Sequence, residues 1–324
     1  MGGTMFDPIL VPLDGSLLAE CVLPHAVAIA QAFKARLMLL RMLDKNEAGE
    51  KGQLFDLVNW EIHKTEAKVY LEKTAARLLK SSLQVDAAVL EGLVAESITE
   101  FAQSQGIKLL ILSSHGRSGL SQWGLSSVSQ KIIYSAPTSV FIIRAHQPTA
   151  SELVERKYAR ILVPLDGSRR AENVLPMVTL LARFHQSRIH IVHVVKTPEM
   201  ARQMPLARED VDLSERMVSR NQEEAIRYLD QVRLHSPLED IDIQTHLLTS
   251  DDAAAVLHKL VEKEGIDMVV LSAHGYSGND QWPYGGLVNN FILYSKVPLL
   301  VVQDLPAKEE TANADMTPRE HPEH

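Results

Sequence analysis

The octapeptide Ile9-Leu10-Val11-Pro12-Leu13-Asp14-Gly15-Ser16 recurs unchanged as Ile161-Leu162-Val163-Pro164-Leu165-Asp166-Gly167-Ser168, 152 residues further on. The match runs on through Ala19-Glu20 with Ala171-Glu172 and Val22-Leu23-Pro24 with Val174-Leu175-Pro176, so thirteen of sixteen positions agree. A second block repeats at an offset of 159: Ser113-Ser114-His115-Gly116 aligns with Ser272-Ala273-His274-Gly275, and Ser118-Gly119 with Ser277-Gly278. The seven added residues fall mostly between the second strand and the helix after it. Stacked solenoid repeats have periods of about 20 to 50 residues. A period near 155 is therefore a duplicated domain, and 324 residues hold two copies of it.

Within each copy, short apolar runs alternate with amphipathic stretches, the pattern of a parallel α/β sheet. In the first copy strands are expected at 8 to 13, 36 to 43, 85 to 90, 108 to 113 and 139 to 143. Helices are expected at 17 to 34, 54 to 82, 95 to 105 and 127 to 135. The second copy offers strands at 160 to 165, 188 to 195, 241 to 248, 267 to 272 and 299 to 303. Runs such as Leu109-Leu110-Ile111-Leu112 have no polar alternation, which calls for burial on both faces. Gly106 and Gly265 follow equivalent helices and suit left-handed C-caps. The fold class is α/β, two doubly wound five-stranded sheets flanked by helices. The domains are 1–146 and 158–305, with a polar linker at 147–157 and a tail at 306–324 too poor in apolar residues to order itself.

Hydrophobic residues form 45% of the chain and charged residues 23%, a balance that excludes a disordered or collagenous protein. The net charge of −8 gives no counterion-release attraction for nucleic acid or anionic lipid, so neither is an expected partner. Residues 1 to 150 are neutral, with 14 basic and 14 acidic side chains, and the rest of the chain carries the whole excess. Cys21 is the single cysteine, so no intramolecular disulfide can form and a reducing cytoplasm is expected. The first residues lack the basic and apolar regions of a signal peptide, and no apolar run reaches the length of a membrane span.

Ligands of doubly wound sheets bind beyond the carboxyl ends of the strands where strand order reverses. Asp14 and Asp166 stand at such ends, followed by Gly-Ser pairs that also suit a turn and a helix cap. The fourth strand runs into the small-residue segment 113 to 127 before a helix, where backbone N–H groups and the helix N-terminus can receive a phosphate. Catalytic signatures are absent: there is no P-loop lysine motif, no G-x-G-x-x-G after the first strand, no H-E-x-x-H and no nucleophile elbow. His190 and His193, three apart on a strand, point to opposite faces and read as core histidines. His115 and His274 suit local hydrogen bonding, Cys21 a buried inert thiol, and Trp123 and Trp282 a packing lid. The 196 to 212 stretch is long for a strand-to-helix connection and reads equally as a flap or interaction loop or as a disordered segment.

The VPLDGS start, the HGRSGLSxW segment and the Pro298-Leu299-Leu300-Val301-Val302 end together resemble the universal stress protein family, in tandem, over residues 5 to 145 and 158 to 304. The resemblance implies a strand order of 3-2-1-4-5 in each copy. It also implies an ATP site built from G-x-x-G, nine residues, then G-[ST], with the aspartate after the first strand. Here the first copy has Ser113-x-x-Gly116, nine residues, Ser126-Ser127, and the second Ser272-x-x-Gly275, nine residues, Gly285-Gly286. If position 126 needs positive φ, serine there costs roughly 1 to 2 kcal/mol; if it needs only close approach, one hydroxymethyl group is tolerated. The implied contacts are Pro12, Asp14, Met42, Ser113, His115, Gly116, Arg117, Gly119, Ser126 and Ser127 in the first copy. In the second they are Asp166, Val194, Ser272, Gly275, Gly285 and Gly286. Arg117 and the Ser127 hydroxyl suit phosphate, whereas the second copy has Tyr276, Asp280 and Gly286. The first copy is therefore expected to bind ATP or ADP, with Mg2+ as an optional companion, more tightly. The resemblance also implies pairing of Val140-Phe141-Ile142-Ile143 with Leu299-Leu300-Val301-Val302, and leaves homodimerisation open. A non-enzymatic stress-response regulator is the expected role. A nucleotide-free scaffold and a slow ATPase stand as alternatives.

Overall fold

A computed structural model of the chain describes residues 5–44, 54–116, 124–145, 155–197, 208–235, 240–276 and 283–303. Parallel strands covered on both faces need side chains that are apolar at every position, and the first strand, β1 (Ile9–Leu13), shows it: Ile9, Leu10 and Val11 are all fully buried. The first copy continues α1 (Leu23–Phe33), β2 (Leu37–Asp44), α2 (Leu54–Leu79), β3 (Val85–Gly92), α3 (Val94–Ser104), β4 (Leu109–Ser113), α4 (Ser127–Ser135) and β5 (Ser139–Ile143). The second follows as β6 (Arg160–Pro164), α5 (Arg169–Glu172), α6 (Leu175–His185), β7 (Arg188–Val195), α7 (Arg208–His235), β8 (Ile243–Thr249), α8 (Ala253–Glu264), β9 (Met268–Ser272), α9 (Gly286–Tyr294) and β10 (Leu299–Val302).

Within each copy the strand order is 3-2-1-4-5, and the order reverses beside the first strand, between β1 and β4 and between β6 and β9. The two sheets are continuous. β5 and β10 run antiparallel with Ile142, Phe141 and Val140 opposite Leu299, Leu300 and Val301, so the two five-stranded sheets form one ten-stranded sheet. Alternate strand residues feed two cores. Ile9, Val11 and Leu13 face the layer of α1, α2 and α6, while Leu10, Leu40 and Leu110 face α3, α4 and their counterparts in the second copy.

The seam between the copies is sealed on both faces. On one, α1 packs against α6, and His25 Nδ1 lies 2.7 Å from the Tyr158 hydroxyl. On the other, Tyr284 donates to the Ile133 carbonyl at 2.8 Å and Tyr134 to Asn289 Oδ1 at 3.0 Å. Arg144 of β5's exit donates to the Ser295 and Ile292 carbonyls of the second copy.

Three local expectations change. The stretch expected as one helix from 17 is a 3-10 turn at Ala19–Val22 followed by α1, whose first turn contains Pro24, a residue favoured at a helix start. The helix expected to reach 82 stops at Leu79, and Ser82 has φ of 58°. Helix α7 begins at Arg208, inside the stretch read as a loop from 196 to 212; residues 198–207 lie outside the described residues. So do most of the linker and the tail beyond 303. Gly106 and Gly265 are left-handed, with φ of 62° and 59°, as their C-cap positions require.

Candidate functional site

Strand β1 ends by delivering Asp14 to the point where strand order reverses. Gly15 turns the chain at φ of 78°, and Ser16 donates its N–H to Asp14 Oδ1 at 2.9 Å while its hydroxyl accepts from Ala19 N at 3.1 Å. The aspartate is thus held by its own turn, and the serine starts the 3-10 turn. The second copy repeats the device: Ser168 donates to Asp166 Oδ1 from N at 3.0 Å and from Oγ at 2.6 Å, and caps Ala171 N at 3.1 Å.

The aspartates also explain the glycines that face them. A Cβ on Gly116 would lie 2.0 Å from Asp14 Oδ2, and one on Gly275 2.1 Å from Asp166 Oδ2. Gly116 is required for this close approach rather than for an unusual φ. In the second copy Tyr276 N donates to Asp166 Oδ2 at 2.6 Å, closing the loop onto the carboxylate.

Above Asp14 opens a cavity of about 560 Å³, within the range of small-molecule sites. Its floor is Pro12, Asp14, Ser113, His115 and Gly116, at the ends of β1 and β4. Arg41, Met42 and Asp44 of β2 form one wall, His63, Glu66 and Tyr70 of α2 the outer one, and Val94 and Ile98 of α3 the apolar side. Ser126, Ser127 and Ser129 bring in the start of α4, whose first N–H groups have no intrahelical acceptor. All eight described first-copy residues named from the sequence line this one cavity. Arg117 and Gly119 lie outside the described residues, as do Trp123, Trp282 and Asp280.

The structure decides between the two readings at Ser126. Its φ of −63° is ordinary, and it acts as the N-cap of α4, accepting from Ser129 N at 3.1 Å. Ser129 in turn donates to the Ser113 carbonyl at 2.9 Å. Gly285, its counterpart, has φ of −70° and room for a side chain, so no backbone strain attaches to serine here. Ser126→Ala is expected to lower stability by about 1 kcal/mol, read by urea denaturation, while Ser126→Gly costs only a few tenths.

Residues that sequence reasoning passed over supply the cavity's charge. Arg41 is 6% exposed and donates toward the Leu13 carbonyl at 3.4 Å. Its counterpart by strand register is His193, whose Nδ1 lies 2.9 Å from the Leu165 carbonyl. Burial lowers His193 from its ordinary value, so the second copy is neutral where the first carries a permanent cation. The signal was present as a lone arginine in the apolar run Leu37-Met38-Leu39-Leu40-Arg41-Met42-Leu43. His63, Glu66 and Tyr70 gave no such signal, because one helical period contains both cavity-facing and solvent-facing residues. Burial, with the Glu20 carboxylate next, pushes the Tyr70 phenol above its ordinary value, so it stays protonated.

The remaining candidates have structural places. In the second copy Asp166, Val194, Ser272, Gly275, Gly285 and Gly286 take the equivalent positions around the β6 and β9 ends, with Ser272 Oγ buried and without a hydrogen-bond partner among the described residues. His115 Nδ1 lies 3.0 Å from Ser114 Oγ, which accepts from Ala145 N at 3.0 Å. Burial raises the Cys21 thiol, which keeps it protonated, 3.6 Å from Ser113 Oγ. His190 is buried on the face opposite His193 and pairs with His246 at 3.0 Å between ring nitrogens. Among the described residues no group of three or more His, Cys, Asp or Glu could hold a metal ion, and no helix is long and apolar enough to cross a membrane.

Known proteins share this fold. The model of the universal stress protein family matches residues 5–144 and again 157–303. Universal stress protein MJ0531 of Methanocaldococcus jannaschii is 26% identical over 145 residues, 44% of this chain and 85% of that protein. A universal stress protein of Thermus aquaticus is 30% identical over 142 residues, 43% of this chain and all of that protein. Among solved structures, a universal stress protein from Archaeoglobus fulgidus aligns over 92% of this chain and 96% of its own, with a TM-score of 0.61 and 15% identity. A protein from Pseudomonas aeruginosa PAO1 aligns over 93% of this chain and 94% of its own, with a TM-score of 0.65 and 17% identity.

Proposed function

Because the chain belongs to the universal stress protein family, we propose that the cavity of its first copy binds an adenine nucleotide, ATP or ADP. The chain then acts as a cytoplasmic stress-response regulator or sensor. The observation that carries this reading is the convergence of Asp14, Met42, Gly116 and the start of α4 on one cavity of about 560 Å³. An anionic ligand is favoured there by Arg41 and by the α4 N-terminus, whose partial positive charge faces the same space. Met42 supplies an apolar surface and its strand-end backbone for the base, while Asp14 accepts hydrogen bonds from ribose or base. Mg2+ would travel with the phosphates, with Asp14, Asp44 or Ser127 within the same cavity as oxygen donors. Turnover is not part of the proposal, since binding and release are enough for a regulator.

The second copy is the weaker site. Where the first copy holds Arg41, it holds His193, which contributes no charge at neutral pH. Thermal melting tests the reading. ATP at about 100 times its Kd is expected to raise Tm by about 4 °C, the value mass action gives for a protein of this size. Gly116→Ala is expected to remove most of that rise, because the new methyl displaces the Asp14 carboxylate. An unchanged Tm in the parent protein, or a full rise in Gly116→Ala, contradicts the proposal.

A further inference from the structure

Helix α2 has a second face, turned away from the sheet. Val58, Ile62 and Val69 on it are 61%, 48% and 40% exposed. With Thr65 they stand at i, i+4, i+7 and i+11, one continuous stripe along a helix, and together with Glu61 and Glu66 they line a shallow groove. Isolated exposed apolar residues need no explanation, but a stripe of this kind does.

The duplicated copy provides an internal control. Helices α2 and α7 align through Ala67, Tyr70 and Leu71 with Ala225, Tyr228 and Leu229, the residues that bury each helix against its sheet. At that offset the positions of Val58, Ile62, Thr65 and Val69 are Arg216, Arg220, Glu223 and Arg227. There the face is solvated and ion-paired, Arg220 with Glu224 at 3.3 Å and Arg227 with Glu223 at 3.5 Å. Of the exposed apolar residues of α7, Leu213 and Met217 share one side near its start while Ile226 and Leu234 lie on other sides, and none stands at a position equivalent to the α2 stripe. The fold therefore does not demand an apolar face here.

We propose that the α2 stripe is a homodimer interface, in which a second copy of the chain lays its own α2 antiparallel on this one. A two-fold axis between residues 64 and 65 fits the sequence in two independent ways. It interleaves Val58, Ile62, Thr65 and Val69 with their symmetry mates at nearly even steps along the helix, as knobs between knobs. It also sets Glu61 level with Lys68 of the second copy, and Lys68 level with its Glu61, on the same flank of the stripe. A parallel arrangement would bring like charges level. Glu66 belongs both to this groove and to the cavity wall, so the interface borders the nucleotide site.

Sedimentation of the full chain over a range of concentrations tests the proposal. A mass of two chains is expected at the upper end, with Ile62→Arg, the residue type of the α7 position, raising the dimer Kd by about 100-fold or more. Because Ile62 is exposed, the melting of the monomeric variant should be unchanged, which separates lost pairing from lost folding. Glu61→Lys should weaken the dimer, and adding Lys68→Glu in the same chain should restore it. Thr65→Cys should cross-link through a short bismaleimide, since the one native cysteine is buried. A monomer at all concentrations, a dimer indifferent to Ile62→Arg, or no cross-link overturns the interface. A double charge swap as weak as Glu61→Lys alone overturns the antiparallel register.

Discussion

Replacing Phe141 with alanine is expected to cost the chain about 3 to 5 kcal/mol, the range for removing a fully buried aromatic side chain. Phe141 is on β5, opposite Leu300 of β10, and has no exposed surface. Its ring meets His25 and Tyr158 edge-on, each at a centroid distance of 6.3 Å, so it touches α1, the second copy's first segment and the seam strand together. The cavity left behind cannot be filled by one neighbour moving, since those neighbours are themselves fixed by the His25 to Tyr158 hydrogen bond. Guanidinium denaturation of the variant should show a correspondingly lower midpoint. Leu79→Ala, at a position 56% exposed, is the control and should stay within about 0.5 kcal/mol of the parent. Equal effects at the two positions would mean that the seam contributes no special stability.

Acid should open the same seam. His25 and His185 flank Tyr158, and burial, helped by the positive charge of Arg156 and Lys157 respectively, lowers them to about 3 and about 4. In the unfolded chain both return toward the ordinary histidine value of about 6.5. Between these limits the unfolded state binds protons that the folded state refuses, so stability is fully present above about pH 6.5 and is lost as pH falls toward 4 and then 3. The combined loss is at most about 8 kcal/mol, at about 1.4 kcal/mol for each unit of displacement, and is reached only near pH 3. Urea midpoints measured from pH 7 to pH 4 should fall, and His185→Gln should flatten the fall. A midpoint that does not change over this range, or a slope untouched by His185→Gln, would mean that these histidines are charged in the folded chain.

The repeat made most of the architecture readable before any coordinates. Thirteen matching positions from Ile9 to Pro24 imply two related domains, and continuous apolar runs imply strands covered on both faces. Asp14, Ser113, Gly116, Ser126 and Ser127 were found because they recur or stand at strand ends, where side chains must point to one place. Arg41 and the α2 residues His63, Glu66 and Tyr70 were not. Their role depends on how α2 crosses the strand ends, which no local pattern encodes. The meaning of Ser126 stayed open for a related reason: a glycine position in a motif does not say whether glycine is there for its φ or for space, and the φ of −63°, with room for a side chain at the equivalent Gly285, shows that neither strain nor crowding applies. Helix α7 from Arg208 was hidden behind Pro198 and Pro205, which mark loops locally but do not say where the helix resumes.

The excess negative charge of the second copy also finds its place. The neutral first copy holds a buried arginine beneath its cavity, whereas the acidic second copy holds a neutral histidine at that position. On the proposed reading, the first copy is the one suited to an anion.

Calorimetric titration of ATP into the full chain, beside its Asp14→Ala and Asp166→Ala variants, tests the central claim most directly. One tight equivalent per chain is predicted, weakened at least about tenfold by Asp14→Ala and left in place by Asp166→Ala, as the loss of one well-placed hydrogen-bonding carboxylate implies. Binding that survives Asp14→Ala but disappears in Asp166→Ala would place the site in the second copy and contradict the account.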